Sequence, residues 1–152
     1  NALVDRFGNL YEGRDGGVNR AIVGAQAEGH NRQTAGVASI GDHRSEAITG
    51  PAKRAIVRYL AWRLDLLGLE ALGRTWLTSS GGQTTRTPDG ERIRVNRILS
   101  HSDVNFTECA GTQLRARIPA IRRSVQAKMD EYGDGGDGPS TPPDEGGGGA
   151  VP

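Results

Sequence analysis

Ser100-His101-Ser102-Asp103-Val104-Asn105-Phe106-Thr107-Glu108-Cys109-Ala110-Gly111 holds the only cysteine of the chain and one of its three histidines. An apolar pair, Ile98-Leu99, precedes it and a helix-like pattern follows. A strand end running into a loop is where a rigid scaffold presents chemistry. Imidazole and thiolate both suit zinc, and Asp103 is near enough in sequence to hold a ring N–H of His101 from outside the ligand set. Two ligands do not complete a zinc site, because a catalytic zinc needs three protein ligands and an open position. Taken alone, the pair reads equally as a surface histidine and a buried thiol.

Downstream, Leu114, Ile118, Ile121, Val125 and Met129 recur at helical spacing, and Pro119 should kink or restart that helix. Upstream, Ile93 and Val95 alternate with polar residues, so 92–99 reads as a strand that delivers its end to His101. Residues 73–92 are polar and turn-rich, with Trp76-Leu77 as a small apolar anchor. The clearest helix is 51–68: Pro51 suits its first turn, and Gly68 suits its stop. Ala52, Ile56, Tyr59, Leu60, Leu64 and Leu67 form its apolar stripe, whose plain reading is core packing. Gly36 to Asp42 reads as a glycine-bounded strand, and 15–34 as a long surface loop with a short extended piece at Ala21-Ile22-Val23. Residues 1–14 read as a hairpin, with Gly8 suited to the positive φ of its turn.

The formal net charge of +1 hides a split: every Lys and Arg lies at or before Lys128, and six of the 18 acids follow it. Residues 1–129 therefore set 19 basic residues against 12 acidic ones, a formal +7. Such a domain attracts anionic partners, among them nucleic acid and the anionic polymers of a bacterial wall. Nucleic acid is disfavoured, because the basic residues are scattered and the aromatics do not interleave with them. One cysteine excludes an internal disulfide, and no apolar run approaches the length of a membrane span. Residues 130–152 are acidic and rich in Gly and Pro and read as a flexible linker after a 1–129 domain. The spacing of Asp130, Asp134 and Asp137 does not fit a calcium loop. The chain opens directly on a strand-like pattern without an initiator Met, so we expect a piece of a longer protein.

Five stretches, in order, resemble one family. They are Leu3-Val4-Asp5-Arg6-Phe7-Gly8-Asn9-Leu10-Tyr11-Glu12-Gly13-Arg14; Gly16-Gly17-Val18 with Arg20; Val23-Gly24-Ala25-Gln26; Gly29-His30-Asn31 with Gly36-Val37-Ala38-Ser39-Ile40-Gly41-Asp42; and His101-Ser102-Asp103-Val104 with Thr107, Cys109, Ala110 and Gly111. Together they resemble the actinobacterial branch of the peptidoglycan recognition proteins, within the zinc-dependent N-acetylmuramoyl-L-alanine amidases, over about residues 1–125.

The resemblance implies an α/β fold with a mixed central sheet flanked by helices, its N-terminal part missing here. It implies zinc as cofactor, peptidoglycan as substrate, a monomer, and a secreted, cell-wall-associated location. It places His101 and Cys109 as the second and third zinc ligands, Thr107 beside the reacting carbonyl, and Gln26 and Asn31 toward the peptide stem. Ser100, Ser102 and Ala110 stand where the family usually has Gly, Arg and Pro, and Gln26 stands where it has a groove-lining His. The family's first zinc ligand lies upstream of its hairpin and a carbonyl-assisting Tyr just before the position of Asn1; His30 and His43 match no ligand position and read as ordinary loop histidines. The expected activity is hydrolysis of the amide joining N-acetylmuramic acid to L-alanine, with this piece alone binding zinc weakly and nearly inactive. A non-catalytic peptidoglycan-binding module is the alternative.

Overall fold

The computed structural model describes residues 1–134, which form an α/β domain of two small sheets and two helices. The hairpin forms as expected, from β1 (Ala2–Val4) and β2 (Leu10–Glu12), in antiparallel register with Val4 opposite Leu10. Its turn is organised by Asp5. That carboxylate accepts hydrogen bonds from the Phe7 and Asn9 amides, the Asn9 side chain and the Tyr11 hydroxyl, at 2.8–2.9 Å. These bonds hold its pKa down to about 2. Gly8 sits at φ 92°, and a Cβ there would come within 2.9 Å of the Pro51 carbonyl, so the turn packs directly on a helix start.

β3 (Val37–Ser39) pairs in parallel with β1 alone and completes a mixed sheet in the order β2-β1-β3. It is shorter than the 36–42 strand expected, and Ala21–Val23 adds no strand. The 15–34 segment is not all surface: Val18, Ala27 and His30 are buried.

α1 (Gly50–Asp65) starts at Thr49, whose hydroxyl accepts from the Ala52 amide and donates to the Arg6 carbonyl. The buried stripe is wider than the apolar spacing suggested, taking in Ala55, Ala61 and Trp62 beside Ala52, Ile56, Tyr59 and Leu64. Leu67 is 58 % exposed because the helix stops two residues earlier and Gly68 turns the chain at φ 61°.

Residues 73–92 hold more than turns. β4 (Arg74–Thr78) pairs antiparallel with β5 (Arg92–Asn96) as a separate two-stranded sheet. There is thus no single central sheet among the described residues. Leu77 and Val95 bury one face of this ribbon against Ala27 and Val104. β5 stops at Asn96, four residues short of Ser100.

α2 (Thr112–Asp134) runs unbroken through Pro119. Proline removes the bond to the Arg115 carbonyl, but Arg115 and Pro119 both lie on the exposed face, where water can satisfy that oxygen. Leu114, Ile118, Ile121 and Val125 on the opposite face are buried against α1 and hold both halves in register. The boundary expected at 129 falls inside this helix, and the rest of the expected linker, 135–152, lies outside the described residues. Among the described residues no helix is long and apolar enough to cross a membrane.

The burial pattern separates Trp62 from Leu67. Trp62→Ala should cost about 3–5 kcal/mol of unfolding free energy, and Leu67→Ala no more than about 0.5 kcal/mol. Urea denaturation of the two variants measures both.

Candidate functional site

His101 opens a single 3-10 turn, His101–Asp103, formed as the chain leaves β5. The turn is closed by a reciprocal cap: the Ser100 amide donates to Asp103 Oδ2 at 2.9 Å, and the Asp103 amide returns to Ser100. The Cys109 segment then folds back onto this turn. The Ser102 amide donates to the Cys109 carbonyl at 3.0 Å, the Ser100 hydroxyl reaches the same carbonyl at 3.4 Å, and the Ala110 amide donates to the Ser100 hydroxyl at 3.4 Å. The two hydroxyls lie 3.0 Å apart. Ser100 and Ser102, both buried, thus join the His101 turn to the Cys109 loop.

The loop is fixed from its other end by Gly111. Its φ is 80°, and a Cβ there would collide with the backbone carbonyl of His43. That carbonyl accepts from the Gln113 amide at 2.9 Å at the start of α2. The His43 ring is fully engaged: Nδ1 donates to the Glu46 carbonyl at 3.0 Å, and Nε2 accepts from the Ser39 hydroxyl at 2.8 Å. His43 therefore pins the end of β3 to the loop that Gly111 touches.

His101, Cys109 and Gln26 all line one cavity of about 930 Å³ between β3, β4 and the two helices. Its walls are largely aliphatic, with Ile56, Leu64, Leu77, Ile98 and Leu114 among them. Cys109 is a free, exposed thiol. Burial holds the His101 pKa below the ordinary histidine value, so at neutral pH its ring is neutral and its lone pair free. Gln26 spends its amide nitrogen on the Thr34 carbonyl and hydroxyl, and its Oε1 is buried without a partner.

The other expected site residues brace these three. Asp103 does not bond the His101 ring; its carboxylate caps the turn and meets Arg115 at 3.5 Å. The Thr107 hydroxyl accepts from the Cys109 amide at 3.2 Å. Asn31 does not line the cavity; its Oδ1 accepts from the Gln26 and Ala27 amides at 2.9 and 2.7 Å and so sets the position of Gln26. Among the described residues no three His, Cys, Asp or Glu side chains gather as a metal-binding group.

His30 is not an ordinary loop histidine. It is 1 % exposed, its Nε2 is 3.4 Å from the Thr85 hydroxyl, and its Nδ1 has no partner among the described residues. Its neighbourhood of buried Ser79, Thr87 and Asn105 locks the 24–34 loop, which carries Gln26, onto the second sheet. The only sequence signal for this was Gly29 before it, at φ 82°, where a Cβ would crowd Thr85, Ser79 and the Gly81 carbonyl.

No protein-family model, curated protein or solved structure matches the chain.

Two outcomes follow from this geometry. Gly111→Ala should destabilise the domain by about 2 kcal/mol or more, and faster alkylation of Cys109 by iodoacetamide should report the loosened loop. Burial depresses the His30 pKa, so the unfolded chain takes up a proton before the folded one. The stability that depends on a neutral His30 is complete above about pH 6.5 and falls as pH drops from there toward the folded pKa. The pH dependence of urea unfolding, with the His30 Hε1 resonance followed by NMR, checks that sign. A His30 titrating at or above 6.5 would contradict it.

Proposed function

We propose that the chain is the larger part of a zinc-dependent N-acetylmuramoyl-L-alanine amidase of the peptidoglycan-recognition type, acting on bacterial wall outside the cell membrane. The observation that carries this reading is the serine-linked seam. It brings a neutral imidazole and an exposed thiol to one cavity, in the order and with the surrounding residues the family resemblance implies.

The donor chemistry fits zinc in part. His101 and Cys109 are both competent ligands, and the third has to come from outside the described residues. The edge of β3 beside the cavity, unpaired among the described residues, supports an extended upstream segment as its source. When bound, zinc would supply Lewis acidity toward the amide carbonyl and lower the pKa of water there. The chain's own residues bind and orient. Thr107 does not line the cavity; its hydroxyl accepts from the Cys109 amide and so orients the thiol segment. Gln26 lines the cavity at the position of the ring that the family uses, with its amide nitrogen committed to Thr34. The lack of a three-donor group among the described residues favours a second reading, a module that grips the peptide stem without cutting it.

The test uses a chain extended upstream through the preceding strand, assayed for zinc content and for release of stem peptide from muropeptide. We expect one zinc per chain and turnover, both falling to background in Cys109→Ala. The 152-residue chain alone should bind zinc more weakly than micromolar. Unchanged turnover in Cys109→Ala sinks the zinc assignment, and binding without turnover in the extended chain selects the second reading.

A further inference from the structure

A second cleft, of about 390 Å³, lies on the other side of the His101 turn, between the β4–β5 ribbon and α2. Arg74, Arg94, Arg115 and Arg122 line it, and Asp103 is the one acidic residue that does. Ile93 and Ile118 give it an apolar floor. No role assigned to the His101–Cys109 cavity uses these four arginines.

Three of the guanidinium groups are held in place by single contacts. Arg122 donates its Nε to the Ile98 carbonyl at 2.6 Å, Arg74 donates one Nη to the Arg94 carbonyl at 3.2 Å, and Arg115 meets Asp103 at 3.5 Å. Each leaves other N–H groups of its fork without a partner among the described residues. Arginines that are tethered yet uncommitted have lost part of their rotamer freedom already, so an anion that binds them gains two-point bonds at reduced entropic cost. A concave site with an apolar floor raises the local field above that of scattered surface charges.

The geometry points to this cleft as a binding site for a phosphodiester-linked polyol chain, the chemistry of the anionic polymers threaded through a bacterial wall. Four guanidinium groups lining one cleft supply charge for more than one phosphate, and its aliphatic lining residues suit the carbon backbone between them. Nucleic acid shares the phosphodiester; no aromatic ring is among the lining residues, and the exposed Trp76 beside Arg94 is already covered by the Arg92 guanidinium. The choice of a wall polymer rests on the amidase reading, whereas the anion site itself does not. Bound there, a polymer would tether the domain to its substrate while the His101–Cys109 cavity stays open on the opposite side of the turn.

The experiment is calorimetric titration of the protein with a synthetic glycerol phosphate oligomer and with single-stranded DNA of equal charge, both in the presence of a chelator. Chelation separates this outcome from any failure of the zinc reading. Arg94→Gln with Arg115→Gln should weaken oligomer binding by about tenfold for each arginine removed. The charge-matched pair Arg32→Gln with Arg123→Gln, outside the cleft, should leave it unchanged. Equal weakening by both pairs, or no oligomer binding at all, overturns the site. DNA bound as tightly as the oligomer, with the same dependence on Arg94 and Arg115, overturns the polymer class.

Discussion

Everything near the candidate site depends on one carbonyl, that of Cys109, and on the two serine residues that hold it. Without them the His101 turn and the Cys109 loop would be separate excursions, each tied only to its own element. The Ser102 amide and the Ser100 hydroxyl converge on that oxygen, and the Ala110 amide closes onto the same hydroxyl. Because Ser100 and Ser102 are buried, breaking this seam would strand polar groups away from water at about 1–3 kcal/mol each. Gly111 secures the far end by letting the His43 backbone approach where any Cβ would block it. Both loops are thereby tied to each other and to the start of α2.

The legible parts of the fold were those encoded locally. Asp5, Gly8 and Asn9 form a turn from their own side chains and backbone, so the hairpin reads from its residues alone. α1 reads from its period, although its buried face includes Ala55 and Ala61, whose small size gives a weak hydrophobic signal and a close approach. β4 was hidden because Arg74-Thr75-Trp76-Leu77-Thr78 buries a single residue, Leu77, fully; its strand character comes from pairing with β5, some fifteen residues on. Pro119 misled for a similar reason, since the decision to continue the helix is made by the core contacts of Leu114, Ile118 and Ile121 rather than by the proline.

The site shows the same division. His101 and Cys109 could be singled out because their residue types carry the chemistry. The roles of Asp103, Thr107 and Asn31 could not, because Ser, Thr, Asp and Asn side chains often bond nearby backbone, and only coordinates show which partner they take. The burial of His30 depends on three segments that are distant in sequence, so no local pattern announced it.

The cavity sets the strictest condition on any account of function. Treated as a dry void of about 930 Å³, it would cost on the order of 20 kcal/mol. That exceeds the whole stability of an ordinary domain, so it has to be an open cleft that water enters. Water is nonetheless a poor partner for walls of Ile56, Leu64, Leu77 and Leu114. An edge strand left unpaired beside such walls invites backbone pairing. An occupant that relieved both costs would bring an extended backbone to β3 and apolar side chains to the hollow. Its end would then lie within reach of the rim where His101 and Cys109 sit. One segment meeting all three conditions would complete the sheet and the ligand set together, so that its docking and metal binding would be coupled in the proposed enzyme.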